Sequence, residues 1–103
     1  MARFDVYQNP EVEERKYVPY FLDVQNTYLE IESRVVIPLH ATAQFAHNVR
    51  NLNLELTVQG KQVVMNTSAL GSIPTSDLRR PVTNIATQQG VIQNALDTLL
   101  GGY

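Results

Sequence analysis

The chain has 103 residues, of which 44% are hydrophobic and 17% charged; it carries a formal net charge of −2 and contains no cysteine. One globular domain with its own core fits these values, and disulfides, thiolate zinc sites and a cysteine nucleophile are excluded. The 8 basic residues are dispersed and only Arg79-Arg80 offers a seed for a basic face, so direct nucleic-acid binding is not expected.

From the N-terminus, "MARFDVY" alternates polar and apolar residues and lacks the basic flank and apolar run of a signal peptide. No stretch approaches the roughly 18 apolar residues of a membrane span, so a cytoplasmic protein without membrane contact is expected. Within "RFDVY", the period of two places Phe4 and Val6 on one face and Arg3, Asp5 and Tyr7 on the other. Residues 9–16 are a charged connection. "YFLDVQ" is a second strand, with Tyr20, Leu22 and Val24 on one side and Asp23 and Gln25 on the other. "RVVIPL" is strand-like too, and Pro38, which cannot donate to a ladder, is expected at an edge or a strand end.

The firmest element is a β-hairpin. Leu52, Leu54, Leu56 and Val58 alternate with polar residues, and Gln59-Gly60-Lys61 turns the chain back into residues 62–67. A short strand around residues 70–73 and a loop containing Pro74 and Pro81 come next. The period then changes. Ile85, Ile92, Ala95, Leu96, Leu99 and Leu100 fall at helical spacing, with Thr83, Asn84 or Thr87 as the N-cap, which predicts a helix over about 84–100. Gly90 inside it points to a close neighbour or a weak first turn. The expected domain, residues 1–103, is mainly β: an antiparallel sheet of about five strands or more, closed by one C-terminal helix.

Reaction chemistry finds no foothold. His40 and His47 lack a third metal ligand, Ser72 in "LGSIP" lacks a nucleophile elbow, and the acids at 11, 13, 14, 30 and 32 sit in polar connections. No catalytic residue, metal or cofactor is expected. The stretch "TLLGGY" is different: Asp97 stands where a helix end favours cations, and no Lys or Arg follows Arg80. Two readings stand side by side. Either Gly101 is an ordinary helix-ending glycine followed by a slack tail, or Gly101, Gly102 and Tyr103 form a displayed tip that approaches a basic partner surface.

Several segments, taken in order, are similar to those of the CcdB family, the toxins of toxin–antitoxin pairs. They are Phe21-Leu22-Asp23-Val24-Gln25, then Arg34-Val35-Val36-Ile37-Pro38-Leu39, the hairpin, Ser72-Ile73-Pro74 and the final helix. The resemblance covers essentially the whole chain. It implies a small twisted antiparallel sheet with a subsidiary sheet, in the SH3-like barrel architecture shared with MazF toxins, assembled as a homodimer. It further implies a non-enzymatic poison that binds the A subunit of DNA gyrase, traps the cleaved-DNA complex and is neutralised by a cognate CcdA-like antitoxin.

In that family the last three residues, commonly Trp-Gly-Ile, carry the gyrase contact. Gly101, Gly102 and Tyr103 hold those places here, with Asp97 on the target-facing side of the helix. Arg3, Phe4 and Tyr7 match the family's N-terminal contact positions, with a core place also expected for Phe4; Asn26, Tyr28 and Leu29 match those after the second strand. Two other readings are a MazF-like endoribonuclease, whose N-terminal loop elements "NPEVEERKY" does not supply, and a drifted relative that binds antitoxin without poisoning gyrase.

Overall fold

A computed structural model of the chain describes residues 1–42 and 52–102. In chain order these form β1 (Asp5–Gln8), β2 (Tyr20–Asp23), β3 (Ser33–Ala41), β4 (Asn53–Val58), β5 (Lys61–Asn66), β6 (Gly71–Pro74), β7 (Thr83–Asn84) and α1 (Gln89–Leu100). The strands make one curled, half-barrel sheet in the order β4-β5-β3-β2-β1-β7, with β6 attached to β3 off that path. A mainly β fold with a C-terminal helix is what the periodicity predicts. The described residues contribute 7 strands, in keeping with the expected five or more, and the subsidiary part is a branch of the same sheet. β3 makes the branch: Ser33–Val36 pairs with β6, and Leu39–Ala41 pairs with β5.

That branch corrects the placement of Pro38, which lies inside the longest strand and not at its end. Val24 donates to the Val35 carbonyl, so alternation along the β2–β3 ladder turns the Pro38 nitrogen away from β2. On its other side Pro38 falls between the residues paired with β6 and those paired with β5. The missing N–H therefore costs no ladder bond.

The hairpin forms as its alternation requires. Asn53↔Asn66 through Val58↔Lys61 are in register, and Gln59 and Gly60 both take positive φ (50° and 80°), the signature of a type I′ turn whose twist matches the strands. Val58 and Lys61 close that turn as a bonded pair, so Thr57 directs its peptide groups outward from the β4 edge. Gln88 meets them: its side-chain amide accepts from the Thr57 N–H (3.1 Å) and donates to the Thr57 carbonyl (2.9 Å). One glutamine thus stands in for a strand residue at the β4 edge.

The helix is shorter than its periodicity suggested. A 3-10 turn at Ala86–Gln88 precedes the 12 residues of α1, so Ile85 lies outside the helix although it is buried. Asn84, one of the expected caps, accepts the Ala86 amide at 2.9 Å and so shapes that 3-10 turn instead of capping α1. Gly90 has no close neighbour, since a Cβ there would meet nothing within 4 Å. It marks a weak first turn.

Ile92, Ala95 and Leu96 of α1 pack into the main core with Val6, Leu22, Ile37, Leu39, Leu56, Val58, Val63 and Met65. Truncating a buried Leu or Ile of this kind to alanine costs about 2–5 kcal/mol, so this contact fixes where the helix ends. The second face of the sheet is covered as well. Tyr7, Val36 and Leu78 form a small cluster there, flanked by Phe21 and Ile73. Asp23 and Gln25, on the polar side of their strand by alternation, are therefore buried.

Candidate functional site

Asp23 and Arg34 are the foundation of the site. Both are almost fully buried, and Arg34 grips Asp23 with two prongs: Nε to Oδ2 at 2.7 Å and Nη2 to Oδ1 at 3.0 Å. A charge so far from water is stable only when paired and fully hydrogen-bonded. Here it is both. The guanidinium also donates to the Leu29 carbonyl (Nη1, 3.1 Å) and the Gln25 carbonyl (Nη2, 3.3 Å). Gln25 completes the network: its backbone N–H donates to Asp23 Oδ1, its side-chain amide donates to the Leu29 carbonyl, and its side-chain oxygen accepts the Val35 N–H. No buried side-chain N or O among the described residues lacks a partner.

Above this network runs the loop 26–32. The network holds it from inside through the Leu29 carbonyl, and Thr75 holds its far end through the Glu32 carbonyl. Asn26 folds its start, accepting the Tyr28 N–H on its side chain and the Leu29 N–H on its carbonyl. A loop pinned in this way displays apolar side chains instead of burying them. Tyr28 is 91% exposed, and Leu29 and Ile31 are exposed beside Glu30 and Glu32. Apolar rings and branches on a fixed loop are interface material.

The C-terminal end of α1 is the second displayed element. Gly101 has φ +72°, the left-handed conformation that ends a helix most easily with glycine. The Gly101 and Gly102 amides both donate to the Asp97 carbonyl. A Cβ on Gly102 would lie 2.9 Å from Asp97 Oδ1, so any larger residue there would displace the Asp97 carboxylate. Tyr103 and His47 lie outside the described residues.

Asp97 breaks the rule for a helix end, and the structure supplies its partner. Gln93 donates to Asp97 Oδ1 at 2.9 Å and accepts from Arg3 Nη2 at 2.9 Å. Arg3 also donates through Nε to the Val24 carbonyl and through its backbone N–H to Thr27 Oγ1. A cation from 90 residues away in sequence thus reaches Gln93 in the first half of α1, and only the Gln93 amide carries the link on to Asp97. Arg3 gets there because the chain kinks at Phe4, whose φ is +72°. That conformation costs about 1–2 kcal/mol for a residue with a Cβ. It is held by the Phe4 ring in the core, by the Phe4 N–H on the Asp23 carbonyl (2.7 Å) and by the Ile85 N–H on the Phe4 carbonyl (3.0 Å). The kink corrects the strand reading of "RFDVY": Arg3 precedes β1 and faces α1 instead of sharing a strand face with Asp5 and Tyr7.

The candidate residues fall into two groups. Arg3, Asn26, Tyr28, Leu29, Asp97, Gly101 and Gly102 belong to the linked loop and tip. Phe4 and Tyr7 are buried, so they contribute to the interior and not to the displayed surface. Tyr7 donates to Asp5 Oδ2 at 3.4 Å, and burial, reinforced by the Asp5 and Asp23 carboxylates, pushes its phenol up to about 12. Folding therefore holds the Tyr7 proton. Its contribution to stability is complete below the ordinary phenol value of 10.0 and is lost as pH rises toward about 12. The thermal midpoint of the native chain should accordingly fall more steeply over that window than that of Tyr7→Phe; parallel curves would remove the assignment.

His40 is half-buried on β3 with Nε2 3.3 Å from the Asn66 amide nitrogen, and burial lowers its pKa. Neutral imidazole accepting a hydrogen bond is a structural role. No group of three or more His, Asp or Glu residues that could hold a metal occurs among the described residues, and no helix there is long and apolar enough to cross a membrane. Sequence reasoning missed Gln93, Thr27 and the structural role of Asp23, Gln25 and Arg34. The last three carried a signal as polar residues inside strand-like segments, and Gln93 carried one in standing four residues before Asp97 in the predicted helix.

A family model described as "CcdB protein" matches residues 3–102 of the chain. No curated protein matches it.

Proposed function

Because the chain belongs to the CcdB family, toxins of toxin–antitoxin systems, we propose that it is a non-enzymatic poison of DNA gyrase that docks on the A subunit. The observation that carries this reading is the family match over residues 3–102, together with a pinned apolar loop and a helix tip tied to each other through Arg3. In this reading Tyr28, Leu29, Asp97 and the residues from Gly101 onward meet the target. No bond is made or broken by the toxin itself. It acts by holding gyrase in the cleaved-DNA state, so binding geometry takes the place of a reaction centre. A homodimer would present the same tip twice to a two-fold target. A cognate antitoxin, partly disordered when free, neutralises the toxin by folding onto it.

One observation favours a second reading. Gly101 stands in a left-handed conformation where the family commonly carries tryptophan, so no ring projects from that position. A relative that keeps antitoxin binding and has lost gyrase poisoning fits that feature.

The test uses purified protein with gyrase and supercoiled DNA, and expression in cells with native or altered gyrase A subunit. Linear DNA trapped by native gyrase, together with growth arrest that disappears in the altered strain, is the expected result. Antitoxin binding without arrest supports the second reading, and RNA cleavage with untouched DNA overturns both.

A further inference from the structure

We infer that Gln93 is a positioning residue that makes the loop 26–32 and the C-terminal tip one rigid docking surface. Its part in target binding rests on the function proposed above; the coupling itself does not. Two displayed elements far apart in sequence form a single surface only if something sets their relative position. The main core does not reach either end: Leu100 and Tyr28 are both exposed. Arg3 fastens to the loop side, with its backbone N–H on Thr27 Oγ1 (2.9 Å) and Nε on the Val24 carbonyl (3.1 Å). Asp97 fastens to the tip side: its carbonyl holds the Gly101 and Gly102 amides, and its carboxylate lies against Gly102.

Gln93 is what joins these halves. The amide is suited to this because it offers an acceptor to the cation and a donor to the anion at once, both at 2.9 Å. No other residue in the chain of contacts does both. Arg3 has its guanidinium 4.9 Å from the centroid of the Phe4 ring and the Asn84 side chain on its backbone carbonyl, so its end of the link is braced by the Phe4 kink and by β7. Gln93 is itself half-buried, on the turn of α1 directly before Asp97. Pairs four apart on a helix face one another, which is why the second bond needs no backbone adjustment.

Two substitutions separate the halves of the link. Gln93→Met keeps length and helix preference but removes both bonds. Gln93→Glu keeps an acceptor for Arg3, removes the donor to Asp97 and sets two carboxylates side by side. Amide hydrogen exchange of the full chain reads the outcome at the Arg3 N–H, which reports the loop clip, and at the Gly102 N–H, which reports the tip. A net hydrogen bond of about 0.5–1.5 kcal/mol corresponds to roughly 2- to 10-fold in exchange rate. In Gln93→Met both amides should speed up by that factor while the Ile37 amide in the core does not. In Gln93→Glu only the Gly102 amide should speed up.

Unchanged amides in Gln93→Met, or a rise shared equally with Ile37, overturns the coupling. Affinity for a purified gyrase A fragment is measured in parallel. If the native chain binds, Gln93→Met should weaken it several-fold, and unchanged affinity overturns the positioning role. A native chain that binds no gyrase A sinks the proposed function alone, and the exchange result then decides the coupling by itself.

Discussion

Arg34→Ala should be among the most destabilising single substitutions in this chain, with a loss of about 3–5 kcal/mol. The size follows from what remains behind. Asp23 is 0% exposed and would lose both prongs of its partner, leaving a carboxylate in the interior with one backbone amide on it. The Leu29 and Gln25 carbonyls would lose their guanidinium donor as well. A domain of this size has a total stability of about 5–15 kcal/mol, so the variant keeps a fraction of the native margin. In urea, with a slope of about 1–3 kcal/mol per molar, the midpoint should fall by on the order of 2 M.

The double variant Asp23→Leu with Arg34→Met separates charge from architecture. Removing both partners takes away the stranded charge, so most of the stability should return. The loop should not recover. Its Leu29 carbonyl keeps only the Gln25 amide, and amide exchange across residues 27–31 should remain faster than in the native chain. A single variant that loses less than about 1 kcal/mol would show that the pair is no more than a surface salt bridge in energetic terms.

That network also marks where sequence reasoning stops. The hairpin was legible from its alternation, with the return strand placed one residue late: Lys61 already pairs with Val58, so the turn is Gln59-Gly60 alone and the strand ends at Asn66. The helix was legible in kind and too long by its first turn, since Ile85 fits the helical period yet enters the core from a 3-10 turn. Pro38 was misplaced for a related reason: only the pairing of a third and fourth strand reveals the gap that accommodates it. Alternation placed Asp23 and Gln25 opposite the core. A period of two separates the faces of a strand but does not say whether the second face meets water, and here Leu78 packs on it with Tyr7 and Val36. The link from Arg3 to Gln93 spans nearly the whole chain and leaves no local pattern, whereas its second half, Gln93 to Asp97, is a pair four apart on one helix face. What could be read ahead of the structure was therefore the scaffold, while the polar contacts that hold the loop 26–32 and the end of α1 depend on tertiary proximity.

Removing Gly101–Tyr103 should abolish gyrase trapping and leave the fold standing, and the contrast in magnitudes makes this informative. Gly101 and Gly102 contribute two backbone bonds to the Asp97 carbonyl and bury no side chain, so the loss should be on the order of 1 kcal/mol. The helix itself is held by Ile92, Ala95 and Leu96 in the core, which the deletion does not touch. Leu96→Ala is the fitting comparison: it costs about 2–5 kcal/mol and weakens every activity together by populating unfolded chain. The deletion should instead keep its unfolding midpoint near native and retain antitoxin binding, while linear DNA trapped by gyrase falls to background. If the native chain traps DNA and the shortened one traps it equally well, the working surface lies elsewhere, with the exposed Tyr28, Leu29 and Ile31 of the pinned loop the next to truncate.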